Sequence, residues 1–215
     1  MPIQNSSPRE LLTTSYNREQ AVRYANYWAY RRNPNYSSFD SLGGDCTNFV
    51  SQALFYAAGV MNFTPDYGWY YISLDNRSPA WSGVEYFWNF MTTNMGPGPF
   101  GHEISLSEVL PGDVIQMAIK EPDRFGHTVI VTDLLSQSPG PDSILVAAHD
   151  RDSACRPIST YDYSMIRALR IDGVRYLSAA TDFPTFRSAS PDGEPAAGPE
   201  DTEEPSGFTA PPDVG

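Results

Sequence analysis

The chain has 215 residues, of which 40% are hydrophobic and 13% aromatic, so it can bury the core of one globular domain and is not a wholly disordered protein. Its formal net charge of −12 argues against nucleic acid or an anionic membrane as a partner, because both bind basic surfaces. Its two cysteines do not make a disulfide framework, and no stretch approaches the roughly 20 apolar residues of a membrane span.

The two ends of the chain differ in composition from its middle. Residues 1–14 are polar and predict a flexible arm without the apolar segment of a secretory signal. As the chain stands this favours a cytoplasmic protein, although an exported protein trimmed of its signal would have the same sequence. Residues 179–215 are rich in proline and acidic side chains and predict a disordered tail. Residues 15–178 are therefore expected to form the folded domain.

Apolar residues at helical spacing predict three helices in the first half of the domain. The helices cover residues 17–32, 45–58 and 82–91. Asn17 and Gln20 form the pattern of a capping box at the first helix, which ends before Pro34. Gly59 is placed to end the second helix, because glycine accepts the left-handed conformation of a helix C-terminus.

The pattern then changes to short β-type runs that are divided by Pro, Gly and Asp. The runs cover residues 113–119, 127–133, 143–149, 164–171 and 173–177. The segment around His102 is interpreted as a loop. Helices followed by antiparallel strands predict an α+β fold, with a helical N-terminal half packed on an antiparallel β-sheet.

Cys46 is the first candidate for chemistry, because it follows two glycines and opens the second helix. At a helix N-terminus the unpaired N–H groups and the helix dipole lower the pKa of a thiol. The same N–H groups can hold the oxyanion of a tetrahedral intermediate. A free cysteine is also commonly a small buried hydrophobe, so position alone leaves both interpretations open.

His127 opens a predicted strand and is the candidate base for the Cys46 thiol, with a plain surface histidine as the alternative. His149 ends the next predicted strand. If the two strands pair antiparallel, His149 lies near His127 and can orient it as the third member of a triad. Asp150 and Asp152 are the alternatives for that role.

Candidate substrate contacts and metal ligands are less distinctive. The three histidines and two cysteines include no short-spaced pair, which disfavours zinc, and we expect neither a metal nor another cofactor. Trp69 and Trp81 are candidates to line a substrate groove, with core packing as the alternative for each. Asp45 is a candidate to bind a substrate amine, with helix capping as the alternative.

Four sequence blocks, in order along the chain, resemble the bacterial putative amidase domain, which is related to the CHAP and NlpC-type cell-wall peptidases and more distantly to papain. The blocks lie at residues 16–36, 44–52, 69–81 and 111–131. The most specific of them is Gly-Asp-Cys-Thr-Asn-Phe-Val-Ser-Gln at 44–52. The resemblance covers about residues 15–178 and implies a papain-like fold. It also implies Cys46 as nucleophile, His127 as general base and a polar third residue that falls at His149.

These observations favour a cysteine-dependent amide hydrolase that acts through a thiolate–imidazolium pair and an acyl-enzyme. Its partner is expected to be a peptide or small amide, with peptidoglycan stem peptides included. A second hypothesis keeps the Cys–His site in a tailoring amidase or acyltransferase of a biosynthetic pathway, or in a deamidating toxin. A third is a binding module without catalysis, in which Cys46 is structural or bridged to Cys155.

Overall fold

The computed structural model describes residues 9–178. The predicted disordered tail at 179–215 lies outside the described residues, as do residues 1–8 of the predicted arm. The predicted folded domain, residues 15–178, lies within the described residues.

The described part contains four helices. They are α1 (Arg18–Trp28), α2 (Cys46–Ala58), α3 (Pro79–Ser82) and α4 (Val84–Thr93). The Asn17 side chain accepts a hydrogen bond from the Gln20 N–H, which confirms the predicted N-cap of α1. Gly59 ends α2 in the left-handed conformation, also as predicted. None of these four helices has both the length and the apolar character needed to cross a membrane.

Nine strands lie within residues 9–178. They are β1 (Leu11–Thr14), β2 (Tyr71–Ser73), β3 (Asn76–Arg77), β4 (Gly98–Ile104), β5 (Val114–Ala118), β6 (His127–Leu134), β7 (Ile144–Ala148), β8 (Ser153–Pro157) and β9 (Met165–Leu177). Seven of them form one antiparallel sheet in the order β1-β9-β5-β6-β7-β8, with β4 also paired to β9. β2 and β3 form a separate hairpin. A mixed fold of few helices and an antiparallel sheet agrees with the predicted α+β class.

Five strands lie where the sequence analysis placed none, namely β1, β2, β3, β4 and β8. Two of them, β1 and β4, overturn a stated interpretation. Leu11–Thr14 belonged to the predicted flexible arm, but it pairs with the C-terminal part of β9. The segment around His102 was interpreted as a loop, but it lies in β4 and pairs with β9 as well. Both corrections have one cause: β9 is 13 residues long and offers backbone partners to segments distant in sequence.

The sheet separates two hydrophobic clusters, because alternate residues of its strands point to opposite faces. On one face, the helices bury large side chains against the sheet residues Val114, Ile130, Ala147 and Leu169. The other face buries the intervening residues Ile115, Val129, Val131, Val146 and Ala168. Because α2 packs on β6 and β7, its N-terminus is held near the ends of both strands.

Candidate active site

Three side chains with catalytic chemistry meet where α2 contacts the sheet. Cys46 is the first residue of α2, His127 is the first residue of β6, and Asp150 follows the end of β7. The Cys46 Sγ, a ring nitrogen of His127 and a carboxylate oxygen of Asp150 all lie within 4.8 Å of one another. The structure thus brings together the predicted nucleophile, the predicted base and one of the two aspartates considered for the third position.

Buried polar side chains fix the start of α2 against β6. The Thr47 and Thr128 hydroxyl oxygens lie 2.9 Å apart, and the Gln116 side-chain amide donates to the Thr128 hydroxyl at 3.3 Å. All three side chains are fully buried, so their hydrogen bonds are not shared with bulk water. Sequence analysis did not assign them a role, but a signal existed: Thr128 and Gln116 are polar residues inside otherwise apolar strand runs.

Asp150 binds the backbone at the start of α2. Its carboxylate accepts hydrogen bonds from the N–H groups of Asp45 at 2.6 Å and of Cys46 at 3.4 Å. The Cys46 N–H is one of the donors that the sequence analysis assigned to an oxyanion. Because the bond from Cys46 is long and therefore weak, a substrate oxygen can replace the carboxylate at that donor at small cost.

Asp150 itself has a backbone φ of 68°, and the next residue, Arg151, has a φ of 106°. Residues other than glycine are uncommon in this region of backbone space, and such strain concentrates at functional sites. Neither conformation is signalled by the residue types. The strain therefore indicates that the surrounding contacts hold the Asp150 carboxylate against the helix N-terminus.

Gly44 makes room for the Asp150 carboxylate. A Cβ atom on Gly44 would lie 2.4 Å from Asp150 Oδ2, whereas a Cβ on Gly43 would meet nothing within 4 Å. Both glycines have positive φ, 126° at Gly44 and 111° at Gly43, so an alanine at either costs about 1–3 kcal/mol in backbone strain. The two positions thus differ only in the clash with Asp150.

We predict that Gly44→Ala lowers the rate of the site's chemistry by about 10²-fold, since a misplaced catalytic group has an effect of this order. Gly43→Ala serves as the matched control, with a similar loss of stability and an activity close to wild type. Urea unfolding gives the stabilities, and alkylation of Cys46 gives the reactivities. Equal reactivity in the two variants would show that the position of Asp150 does not matter.

The Cys46 thiol is 5% exposed, and its pKa is raised to about 12. Burial is the main cause, and the negative charge of Asp150 adds to it, while hydrogen bonds from the Thr128 backbone and the Thr47 hydroxyl act in the opposite direction. The predicted lowering of the thiol pKa by the helix N-terminus is therefore wrong for this structure. Burial outweighs the helix N-terminus, and the Asp150 carboxylate adds to its effect by accepting from the Cys46 N–H, one of the groups that would stabilise a thiolate.

The His127 imidazole is 7% exposed, and its pKa is lowered to about 4. Burial is the largest cause; Asp150 opposes it, and the positive charges of Arg156, Lys120 and Arg151 reinforce it. The resting pair is accordingly a neutral thiol beside a neutral imidazole at neutral pH, and not the predicted thiolate–imidazolium pair. Such an imidazole is free to accept a proton.

The lowered pKa of His127 predicts a specific dependence of stability on pH. The pKa is about 4 in the folded protein and 6.5 for an unperturbed histidine, so the unfolded chain takes up a proton first as the pH falls. The stabilisation is complete above pH 6.5 and decreases toward pH 4, by up to about 1.4 kcal/mol per pH unit. Urea unfolding should show this loss in wild type and a shallower one in His127→Gln. Identical slopes in both proteins would contradict the assignment.

His149 makes other contacts than those predicted. Its Nδ1 lies 2.6 Å from Asp45 Oδ2, and its Nε2 lies 3.0 Å from the Trp28 carbonyl oxygen. The ring also stacks on Phe49, with 4.0 Å between ring centroids. Both ring nitrogens are thereby engaged, and neither bond involves His127. His149 thus links the end of β7 to the start of α2 and to the last residue of α1.

The three predicted substrate contacts are all completely buried. Asp45, Trp69 and Trp81 are each 0% exposed. Asp45 accepts hydrogen bonds inside the protein, and its side chain does not cap the N–H groups of α2. The indole N–H groups of Trp69 and Trp81 donate to Ser51 and Asn48 of α2. Trp69 and Trp81 are thus packed in the core, the alternative considered for each, whereas Asp45 is buried without the helix-capping bond considered as its alternative.

Two further observations bear on alternative chemistries. Cys46 and Cys155 are both free, one buried and one exposed, so the bridge considered for a binding module is not formed. The atoms of Cys46, His127 and Asp150 are also close enough to hold a metal ion, and a sulfur, nitrogen and oxygen donor set suits zinc. The geometry alone is thus compatible with either thiol or metal chemistry.

Comparison with known proteins identifies the family. The model of the putative amidase domain matches residues 15–171, which is most of the chain and includes all three residues of the site. The chain belongs to this family. It is also 33% identical over 118 residues to the uncharacterized protein YhbB of Bacillus subtilis strain 168. That match covers 54% of this chain but only 37% of YhbB, so the chain spans well under half of that relative. No solved structure matches the chain.

Membership confirms the predicted resemblance to the putative amidase domain, and the family's description points to hydrolysis of amides. The description names neither a nucleophile nor a substrate. The predicted relation to the CHAP, NlpC-type and papain-like peptidases is not tested by these comparisons. It stays a prediction, and it enters the proposal below.

Proposed function

We propose that the protein hydrolyses amide bonds by nucleophilic catalysis, with Cys46 as nucleophile, His127 as general base and Asp150 as the residue that orients His127. The observation that carries the proposal is the convergence of the three reactive atoms within 4.8 Å, on three separate elements of an amidase-family domain. Sequence analysis favoured His149 for the third position. We assign that position to Asp150, because both nitrogens of His149 bind elsewhere.

The proposed reaction starts from the neutral pair. His127 takes the proton of the Cys46 thiol as the sulfur attacks the carbonyl carbon, which forms a C–S bond and places negative charge on the carbonyl oxygen. The Cys46 N–H donates to Asp150 at 3.4 Å in the resting structure, and it can donate to this oxyanion instead. His127 then gives its proton to the leaving nitrogen as the C–N bond breaks. Water, activated by His127, hydrolyses the thioester and restores the thiol.

Asp150 has two roles in the proposed reaction. Its charge favours the protonated form of His127, and so offsets some of the effect of burial when the imidazolium forms. Its backbone contacts with the start of α2 hold the carboxylate close to both reactive groups. An acidic side chain that orients and stabilises an imidazolium is the third element of nucleophilic triads.

The arrangement also supports a papain-like organisation. A nucleophile at the start of a buried helix is followed in sequence by a histidine at the start of an antiparallel strand, and then by a polar residue after the next strand. The resemblance stated from the sequence implies this same order. We therefore propose that the fold is a variant of the papain-like one.

Hydrolysis of a library of acyl-dipeptide coumarylamides tests the proposed function. We expect fluorescent amine to be released by the wild type and by Cys155→Ser, but not by Cys46→Ala or His127→Gln. The acyl product, analysed with and without an added amine, identifies water or the amine as the acceptor. Release by Cys46→Ala, or release that a zinc chelator abolishes, would favour a metal-dependent mechanism on the same three residues instead.

A further inference from the structure

A surface groove of about 350 Å³ lies beside the backbone segments that carry Cys46 and His127. It is lined by Gly43, Val84, Tyr86, Lys120, Arg124 and Gly126, together with neighbouring residues, and is called here the Lys120 groove. Gly43 lies three residues before Cys46, and Gly126 immediately precedes His127. The groove thus ends at the backbone segments that carry the nucleophile and the base.

The charges that line the Lys120 groove are paired, with one exception. Glu85 forms a salt bridge with Arg167 at 3.0 Å, and Glu121 forms one with Arg124 at 3.5 Å. Lys120 has no carboxylate within 4 Å among residues 9–178, and its side chain is exposed. One positive charge therefore remains uncompensated in the groove.

Lys120 is also the only lysine of the chain. Its charge acts on the site, because Lys120 is one of the three cations, with Arg156 and Arg151, that lower the pKa of His127. The protein as a whole carries a net charge of −12, whereas the charges that act on His127 are one carboxylate, that of Asp150, and three cations. A local field of this kind attracts anions to a protein that otherwise repels them.

We propose that the natural substrate is an amide that carries a carboxylate, and that this carboxylate pairs with Lys120 in the Lys120 groove. The inference rests on the proposed function and adds the chemical class of its substrate. The apolar part of such a substrate lies against the exposed Tyr86 and the half-buried Phe125, which form the walls of the groove. An anion beside Lys120 also offsets the repulsion that disfavours the His127 imidazolium, so binding of the correct substrate promotes the proton transfer.

Two matched alkylating peptides test the inference without knowledge of the substrate. Chloroacetyl-Ala-Ala with a free carboxylate and its C-terminal carboxamide react by the same step, in which the Cys46 sulfur displaces chloride. The rates are measured by intact mass in the Cys155→Ser background, so that Cys46 is the labelled thiol. We expect the acid to react roughly two- to fivefold faster than the carboxamide, the effect of one exposed ion pair. The ratio should fall as salt is added.

Variants of Lys120 locate the effect. Lys120→Gln should remove the preference for the acid, measured as the ratio of the acid rate to the carboxamide rate within the variant, and Lys120→Arg should keep it. Arg23→Gln is the control for net charge, because the exposed Arg23 lies beside Tyr56, at the opposite end of α2 from Cys46. Equal rates for the two peptides, or a preference that Lys120→Gln leaves intact, would overturn the inference.

The carboxamide rate separates this inference from the proposed function. That rate reports the reactivity of the Cys46–His127 pair, and the proposed function requires it to fall in His127→Gln. If His127→Gln has no effect while the acid preference still depends on Lys120, the catalytic pair is refuted and the anion site stands. If the carboxamide rate depends on His127 but the preference for the acid is absent, the catalytic pair stands and the anion site is refuted.

Discussion

Replacing Asp150 with asparagine should lower the kcat/KM of the proposed amide hydrolysis by about 10²- to 10⁴-fold, the range associated with loss of the acid that orients a catalytic histidine. Asparagine keeps the size of the side chain and one oxygen that can accept from the N–H groups of Asp45 and Cys46. It lacks the charge that favours the protonated form of His127. The loss should therefore appear in kcat with little change in stability.

The pH profile adds a second readout for Asp150→Asn. The charge of Asp150 raises the pKa of His127 against the effect of burial, so its removal should shift the acidic limb of the profile to lower pH. A variant that merely disturbs the fold would lower the rate without moving this limb.

Asp152 provides the matched control for Asp150. It lies two residues further on, and its carboxylate pairs with Arg32 at 2.9 Å. Asp152→Asn should change the rate by no more than about fivefold, as expected for an exposed ion pair. His149→Gln should destabilise the protein and leave the position of the acidic limb unchanged. A His149→Gln variant that keeps its stability but shifts that limb would restore His149 as the third member of the triad.

Replacing Asp45 with alanine should lower the free energy of unfolding by about 3–5 kcal/mol, the cost of breaking a buried polar pair by removing one partner. Asp45 is 0% exposed, and it accepts from the Phe39 N–H at 2.7 Å and from the Asn48 side chain at 2.9 Å. Its other oxygen lies 2.6 Å from His149 Nδ1. The substitution leaves these buried donors without an acceptor, and each such group is costly.

Urea unfolding of Asp45→Ala and Asp40→Asn measures this difference. Asp40 is the control, because it also pairs with Arg32, at 2.8 Å, but its side chain is 48% exposed. We expect Asp40→Asn to cost no more than about 1 kcal/mol. A similarly small cost for Asp45→Ala would mean that water satisfies the donors around position 45, and the structural role assigned to Asp45 would be lost.

The local parts of the architecture were predictable from the sequence. The N-cap at Asn17 and the end of α2 at Gly59 are encoded by residues that lie within one helical turn of the feature they determine. The proximity of the Cys46 and His127 side chains was also expected. A helix start and a strand start each hold a side chain in a defined position.

The parts that depend on distant partners were not predictable. β4 and β1 exist because β9 supplies their backbone partners, and neither segment alternates clearly between apolar and polar residues. The choice between His149 and Asp150 depends on a register shift in the pairing of β7 with β8 and on the positive φ of Asp150. No residue type in that turn demands either feature.

The raised pKa of the Cys46 thiol is caused mainly by burial, but the contribution of Asp150 also depends on a distant partner. The helix N-terminus was recognisable from the sequence, but the carboxylate that occupies it comes from a residue 104 positions later. The positions of Trp69 and Trp81 also depend on partners distant in sequence. Their aromatic character had suggested that they line a substrate groove. Their indole N–H groups find partners on α2, which places both side chains in the core.

The rate of Cys46 alkylation by iodoacetamide between pH 5 and 9, in Cys155→Ser with and without His127→Ala, shows whether Cys46 and His127 act as a pair. The pKa values of about 12 for Cys46 and about 4 for His127 lie outside this pH range. The pair therefore carries the same total number of protons throughout the range, and proton transfer from Cys46 to His127 does not change that number. The account predicts a rate that is nearly independent of pH when His127 is present. In His127→Ala it predicts a slower rate that rises about tenfold per pH unit, as for an isolated buried thiol. The same steep rise in both proteins would show that Cys46 and His127 do not act as a catalytic pair.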